Sequence, residues 1–215
     1  MATKQESVWR GTFGAEYTER CTFASVEDFN KLYVSRYGVS REEIAAHWLA
    51  GIPRAARILE VGCNVGNQLA CLRRLGFTHV YGIDIQEDAI ELSHKSYEHL
   101  NTIVGSAFDI PFKDRFFDLV FTNNVLIHIA PSDLGQVFKE MARVSDGLIW
   151  GFEYYAPKFT EIKYRGNSDL LWKADYGALI SEQHPEFVIT REEIFECLDE
   201  PGLKDKCYML ERKSK

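Results

Sequence analysis

The feature that most constrains this chain is a repeated alternation of short apolar runs with amphipathic stretches. Residues 57–62 read as a short buried strand. The segment from Gly66 to Leu75 then places Leu69, Leu72 and Leu75 at helical spacing before Gly76 ends it. The alternation repeats: a strand at 79–84, an amphipathic helix at 87–100, a short strand at 101–104 and a strand at 116–121. A helix at 131–144 with Pro131 near its start follows, then a strand at 147–153. Parallel neighbours need crossover helices, so this order predicts an α/β fold with a mostly parallel sheet covered on both faces. Upstream, residues 25–50 read as one or two helices. Phe29, Leu32 and Tyr33 recur at helical spacing, Gly38 interrupts, and Ser40 with Glu43 forms a capping box that leads to core residues Ile44, Trp48 and Leu49. Downstream the pattern loosens over 154–176. A short run at 187–189 and another at 207–210 predict a hairpin-like edge rather than one more crossover.

Composition narrows the function classes. A chain of 215 residues makes one domain, or one domain with an appended element. Its 46% hydrophobic residues can build a core without disulfides or metal. A net charge of −7 argues against general affinity for nucleic-acid backbones. No window reaches the roughly 18 uninterrupted apolar residues of a membrane span, and the first residues lack the apolar stretch of a signal peptide. A cytoplasmic protein is therefore expected, with neither nucleic acid nor membrane as partner. Cys21, Cys63, Cys71, Cys197 and Cys207 are odd in number and form no CxxC pair. The six histidines form no HExxH and no compact cluster, so neither a disulfide framework nor a metal site is expected.

Open α/β sheets bind ligands beyond the carboxyl ends of their strands. The first strand–turn–helix carries Glu60, Gly62, Cys63, Asn64 and Gly66. Glycine at 62 lets the chain turn sharply and lets a ligand approach the backbone, and Asn64 tolerates left-handed geometry. The free N–H groups of the helix after Gly66 suit a carboxylate. Such a turn also occurs for structural reasons alone. Asp84, with Ile85 after it, closes the next strand, where an acidic side chain accepts from both hydroxyls of an adenosine ribose or is simply solvated. After the third strand, Phe108 offers a stacking face for a purine and Asp109 an acceptor for an exocyclic amine. Asn123 follows the fourth strand, with His128 close behind.

These four pieces, in this order over about residues 57–153, resemble the class I S-adenosylmethionine-dependent methyltransferases, with Asn64 where the second glycine of their first motif is more usual. The resemblance implies a Rossmann-like, mostly parallel seven-stranded sheet with an antiparallel last strand. It also implies S-adenosylmethionine as cofactor. Gly62 with its neighbours Glu60, Cys63 and Asn64 would hold the methionine end, Asp84 and Ile85 the ribose side, Phe108 and Asp109 the adenine, and Asn123 the inner wall. A nicotinamide-dependent oxidoreductase is the alternative, although its three-glycine fingerprint is interrupted by Asn64 and Asn67.

The flanks, including Trp9–Arg20 and 153–175, are similar to a small bacterial group of methyltransferases associated with pseudaminic acid biosynthesis. That likeness implies a small acceptor of the nonulosonic-sugar type or another natural-product intermediate, methylated at oxygen or nitrogen. Cys21 and Ala174 depart from that group. Residues 1–50 are expected to form a helical lid, and 51–215 a catalytic domain with an acceptor-site insertion at about 154–176. His128 is the candidate general base, since an unperturbed imidazole titrates at roughly 6.5; a core histidine bonded to backbone is the other reading. Tyr17 either closes over the methyl or packs on the domain. Tyr154, Lys163, Arg165 and Lys173 are the candidate acceptor-binding residues, because cations in an acidic chain suit a carboxylate or phosphate; a solvated surface accounts for any one of them equally. The expected state is a monomer or homodimer.

Overall fold

A computed structural model describes residues 3–213, so the outermost residues of both expected domains lie outside the described residues. Four helices come first: α1 (Lys4–Trp9), α2 (Thr12–Arg20), α3 (Val26–Tyr37) and α4 (Arg41–Trp48). The Ser25 hydroxyl caps α3, Gly38 ends it at φ 73°, and Ser40 and Glu43 form the expected capping box on α4. Then follow β1 (Arg57–Val61), α5 (Asn67–Arg74), β2 (His79–Asp84), α6 (Glu87–Ser96), β3 (Asn101–Val104) and β4 (Phe117–Asn123). After a 3₁₀ turn at Leu126–His128 come α7 (Leu134–Val144) and β5 (Ser145–Tyr154). The loosened stretch holds a small hairpin, β6 (Thr160–Glu161) and β7 (Trp172–Lys173). The chain continues through α8 (Tyr176–Gln183), β8 (Phe187–Glu196) and β9 (Lys204–Arg212).

The main sheet has seven strands in the order β3-β2-β1-β4-β5-β9-β8. The first five are parallel, and β9 is antiparallel to both β5 and β8. This is the Rossmann-like methyltransferase arrangement expected from the sequence, including the antiparallel last strand and the hairpin edge. Side chains alternate across β4. Leu119 and Phe121 enter a core with Trp48, Leu72 and Trp150, while Val120 enters the opposite one with Val137, Phe138 and Met141; an irregularity between Phe117 and Leu119 breaks the alternation and puts Phe117 on the side of Val120. The strand order reverses between β1 and β4, where a crevice opens at the carboxyl ends.

Several boundaries differ from expectation. Helix α6 stops at Ser96, because Tyr97 takes extended backbone and His99 sits at φ 68°. Helix α7 starts at Leu134, after a turn at 131–133. Strand β8 continues well past Ile189, because its outer face carries solvated charges that hide its periodicity. No helix among the described residues is long and apolar enough to cross a membrane.

Candidate functional site

The turn after β1 explains its own sequence. Gly62 sits at φ 76°, and a Cβ there would fall 2.5 Å from Val125 Cγ2, so only glycine lets this turn lie against the loop after β4. Asn64 takes φ 46°. Its backbone N–H donates to Asp84 Oδ2 across 2.8 Å, and that of Gln86 donates to Oδ1 across 2.9 Å. Asp84 thus ties the β1 turn to the β2 turn. Burial raises its carboxyl, against the pull of these two bonds.

Two cavities meet at these strand ends. The narrower, about 120 Å³, brings together Gly62, Asn64, Asp84, Ile85, Phe108, Asn123 and His128 of the sequence reading. Its outer wall is Gln5, Glu6 and Trp9 of α1 and Tyr17 of α2. These helices are fastened to the strand-end loops. Glu6 Oε1 accepts from Ser106 Oγ across 2.7 Å, and Asn64 Nδ2 donates to Thr18 Oγ1 across 2.8 Å. The wider cavity, about 440 Å³, shares Tyr17, Gly62, Asn64, Asn123 and His128 with the first, and adds Glu60, Cys63, Tyr154 and Arg165. Asp109 lines neither, because the chain reverses at the Ser106–Asp109 bridge and leaves it exposed. Lys163 is exposed and also outside both. Lys173 is half-buried but likewise lines neither, its ammonium 5.9 Å from the Tyr154 ring centroid.

His128 stands where the cavities join. Its Nδ1 is 2.8 Å from the Leu170 carbonyl. A carbonyl only accepts, so Nδ1 carries the proton and Nε2 keeps its lone pair. The Trp9 indole lies 4.5 Å from the ring and Tyr164 5.3 Å, centroid to centroid. Burial pushes the imidazole down to about 4, well below the ordinary value assumed from sequence. Burial likewise keeps the Tyr17 phenol protonated and raises the buried Glu60 carboxyl and Cys63 thiol.

Sequence reasoning missed three contributors. Glu153, at the end of β5, is buried and accepts from the Val125 N–H (3.3 Å) and the Ile127 N–H (3.4 Å), which fixes the turn carrying His128. With no cation beside it, burial pushes its carboxyl up to about 8. A lone acid ending an apolar strand was the available signal. Tyr33 of α3 accepts from Asn123 Nδ2 across 2.9 Å, and Trp9 covers His128. Nothing local marked either of these.

The junction also holds buried acceptor atoms without partners: Glu60 Oε2, Asn64 Oδ1 and Asn124 Oδ1. Such atoms call for a donor or positive charge, which fits a ligand that carries an ammonium and a sulfonium close together.

Comparison with known proteins agrees with the geometry. Residues 59–149 match the family described as a methyltransferase domain. An O-methyltransferase of Aspergillus nomiae, rstn1, is 31% identical over 97 residues, 42% of this chain and 42% of that protein. The chain spans less than half the length of the curated relatives it matches. Solved structures that share its fold include two methyltransferases. One is the magnesium protoporphyrin IX methyltransferase of Synechocystis with bound SAM, with a TM-score of 0.71, 16% identity and 99% of both chains covered. The other is the 1,6-didemethyltoxoflavin-N1-methyltransferase of Burkholderia thailandensis with 1,6-didemethyltoxoflavin and S-adenosylhomocysteine. Its TM-score is 0.74 at 15% identity, covering 100% of this chain and 92% of that one. These matches do not favour the oxidoreductase alternative. Over residues 59–149 the chain thus matches a methyltransferase domain, and its sheet has the Rossmann-like fold of the class I S-adenosylmethionine-dependent methyltransferases.

Proposed function

We propose that this protein transfers the methyl group of S-adenosylmethionine to an oxygen or nitrogen of a small anionic acceptor, of the nonulosonic (pseudaminic-type) sugar class or a related natural-product intermediate. The carrying observation is that a narrow cavity of cofactor-binding character and a wider one meet at Tyr17, Gly62, Asn123 and His128.

Bound S-adenosylmethionine supplies a methyl group on a positively charged sulfur. In this reading Asp84 and Ile85 hold the ribose side, while Phe108 packs on the adenine. Glu60, the Gly62 and Cys63 backbone, Asn64 and Asn123 hold the methionine end. Glu153 fixes the turn so that His128 Nε2 faces the junction and accepts the proton of the nucleophile. Tyr17 and Trp9, as parts of a lid formed by the N-terminal helices, exclude water and align the nucleophile about 3 Å from the methyl carbon. Tyr154 and Arg165 bound the acceptor, with Lys163 and Lys173 contributing positive potential from outside the cavity. With this reading go a cytoplasmic protein, monomeric or homodimeric, and no nucleic-acid partner.

Calorimetry with S-adenosylhomocysteine and with NADH tests the cofactor: binding of the first and not the second is expected. A mass-spectrometric screen of nonulosonic acids, sugar nucleotides and phosphorylated metabolites with isotope-labelled cofactor then tests the acceptor. Gain of one labelled methyl by an anionic member is the expected result. Gain only by neutral compounds would discard the acceptor class.

A further inference from the structure

Three arginines line the wider cavity: Arg20 at the end of α2, Arg36 in α3 and Arg165 in the turn between β6 and β7. They differ in how they are partnered. Arg36 Nε lies 3.5 Å from Asp199 Oδ1. Among the described residues, neither Arg20 nor Arg165 has a carboxylate within ion-pair distance. Each instead lies against a tyrosine ring, Arg20 at 5.7 Å from the Tyr17 centroid and Arg165 at 6.0 Å from that of Tyr164. Both line the wall that also holds Cys21, whose thiol they lower against the burial that raises it. The cavity's one carboxyl, Glu60, is buried at its strand end, and that burial raises it. In a chain of net charge −7, a cavity lined by three guanidiniums and a single, buried carboxyl suits an anion. Its walls are rings, including Phe23, Phe29, Tyr33 and Tyr37, which suit a cyclic body.

We infer that the acceptor is a cyclic carboxylate whose acid group is held between Arg20 and Arg165, so that the acceptor itself ties the N-terminal helices to the β6–β7 hairpin. The inference rests on the methyltransferase reading for the word acceptor, while the carboxylate site stands on its own residues. Guanidinium forks match the two oxygens of a carboxylate, and an exposed guanidinium loses less solvation than an ammonium on pairing. The tie would extend contacts already present, since Lys4 Nζ meets Asp169 Oδ2 at 3.1 Å and Gln5 Nε2 donates to the Asp169 carbonyl at 3.3 Å. Arg20 is therefore assigned a specificity role that its exposed place on a short helix gives no hint of. The ring is either aromatic or a sugar acid, and the probes separate the two.

The test is ligand-observed NMR on the full chain, with and without S-adenosylhomocysteine, using five probes. Benzoate and N-acetylneuraminate are the acids, benzamide and N-acetylmannosamine their neutral counterparts, and phenyl phosphate the competing anion. At least one acid should bind, at least fivefold more tightly than its neutral counterpart and than phenyl phosphate; which acid binds identifies the ring. Arg20→Gln and Arg165→Gln should each weaken that acid at least fivefold, leaving S-adenosylhomocysteine affinity within twofold. Lys139→Gln, on α7 and remote from the cavity, should change nothing. Amide exchange over residues 12–20 should slow when the acid binds wild type. Any of the following overturns the inference: no binding by either acid, equal binding of the neutral probes, tighter binding of the phosphate, arginine variants that bind as wild type, or binding without slowed exchange. Loss of S-adenosylhomocysteine binding with the acid still bound would sink the methyltransferase reading alone.

Discussion

His128 donates from Nδ1 to the Leu170 carbonyl across 2.8 Å, which turns its unprotonated Nε2 into the one imidazole atom free for chemistry. Because burial holds the ring near 4, it is neutral throughout the range from pH 6 to 8 and already competent as a proton acceptor. The expected pH dependence of kcat is therefore an acid limb near pH 4 and a flat region around neutrality. His128→Ala should lower kcat by roughly 10²–10⁴-fold and leave S-adenosylhomocysteine affinity unchanged. A limb near 6.5 would mean that the ring is solvated. An unaltered kcat in the variant would return His128 to packing.

Glu153 supplies a second titration, with the opposite sense. Its carboxyl titrates near 8 when folded and near the ordinary 4.5 when unfolded, so between these values the folded chain binds the extra proton. Stability is fully present below about 4.5 and falls as pH rises through 8. Glu153→Gln keeps an acceptor for one of the two N–H groups, which Oε1 and Oε2 serve separately, and cannot ionise. Thermal melts at pH 6 and pH 9 should show a Tm loss in wild type that shrinks by at least half in the variant. Asp205 accounts for the remainder, since it is buried, bonded to the Tyr37 hydroxyl at 2.9 Å and pushed up to about 7. An equal Tm loss in both proteins would show that Glu153 is ionised at neutral pH.

The parts of this molecule legible in its sequence are those whose causes are local. Strands β1, β2 and β4 announce themselves as short apolar runs, and the turn from Glu60 to Gly66 by residues able to adopt positive φ. Gly62, Asn64, Asp84, Phe108, Asn123 and His128 therefore emerge together from strand-end positions, and the structure brings them to one crevice. What is hidden depends on distant partners. Helices α1 and α2 are short and carry little apolar periodicity; the Thr3–Glu6 capping box and bonds to Ser106 and Asn64 hold them. The low titration of His128 arises because Trp9, from another part of the chain, covers it. Glu153 meets the β4 loop only through the register that pairs Asn123 with Phe152. Asp109 sits beside Phe108 in the chain, yet a single tight turn directs it elsewhere.

Asp84 should govern cofactor affinity. Its two oxygens already accept from Asn64 and Gln86, so the carboxylate is pre-positioned before any ligand arrives. Asp84→Asn keeps the side-chain volume but replaces one of the two accepting oxygens with an NH2 and gives up charge-assisted bonds to hydroxyls, each worth about 1.5–3 kcal/mol. Calorimetry should show S-adenosylhomocysteine binding roughly 10–100-fold more weakly, with KM for the acceptor little changed. Unchanged cofactor affinity would move the ribose away from this residue.

Gly62 tests the turn itself. A methyl group added there meets Val125 Cγ2 at 2.5 Å, and the φ of 76° is one that side-chain-bearing residues resist. Gly62→Ala must either push the loop after β4 outward or distort the β1 turn. Because Val125 is next but one to Asn123 and its N–H bonds Glu153, either movement reaches His128. The variant should lose more than about 1 kcal/mol in denaturant unfolding. S-adenosylhomocysteine affinity should fall by at least tenfold. Shrinking the obstacle separates strain from clash: Val125→Ala in the Gly62→Ala background should recover part of the binding, while the loss caused by positive φ persists. Full recovery would assign the whole defect to the clash, and no recovery would assign it to backbone strain in the turn.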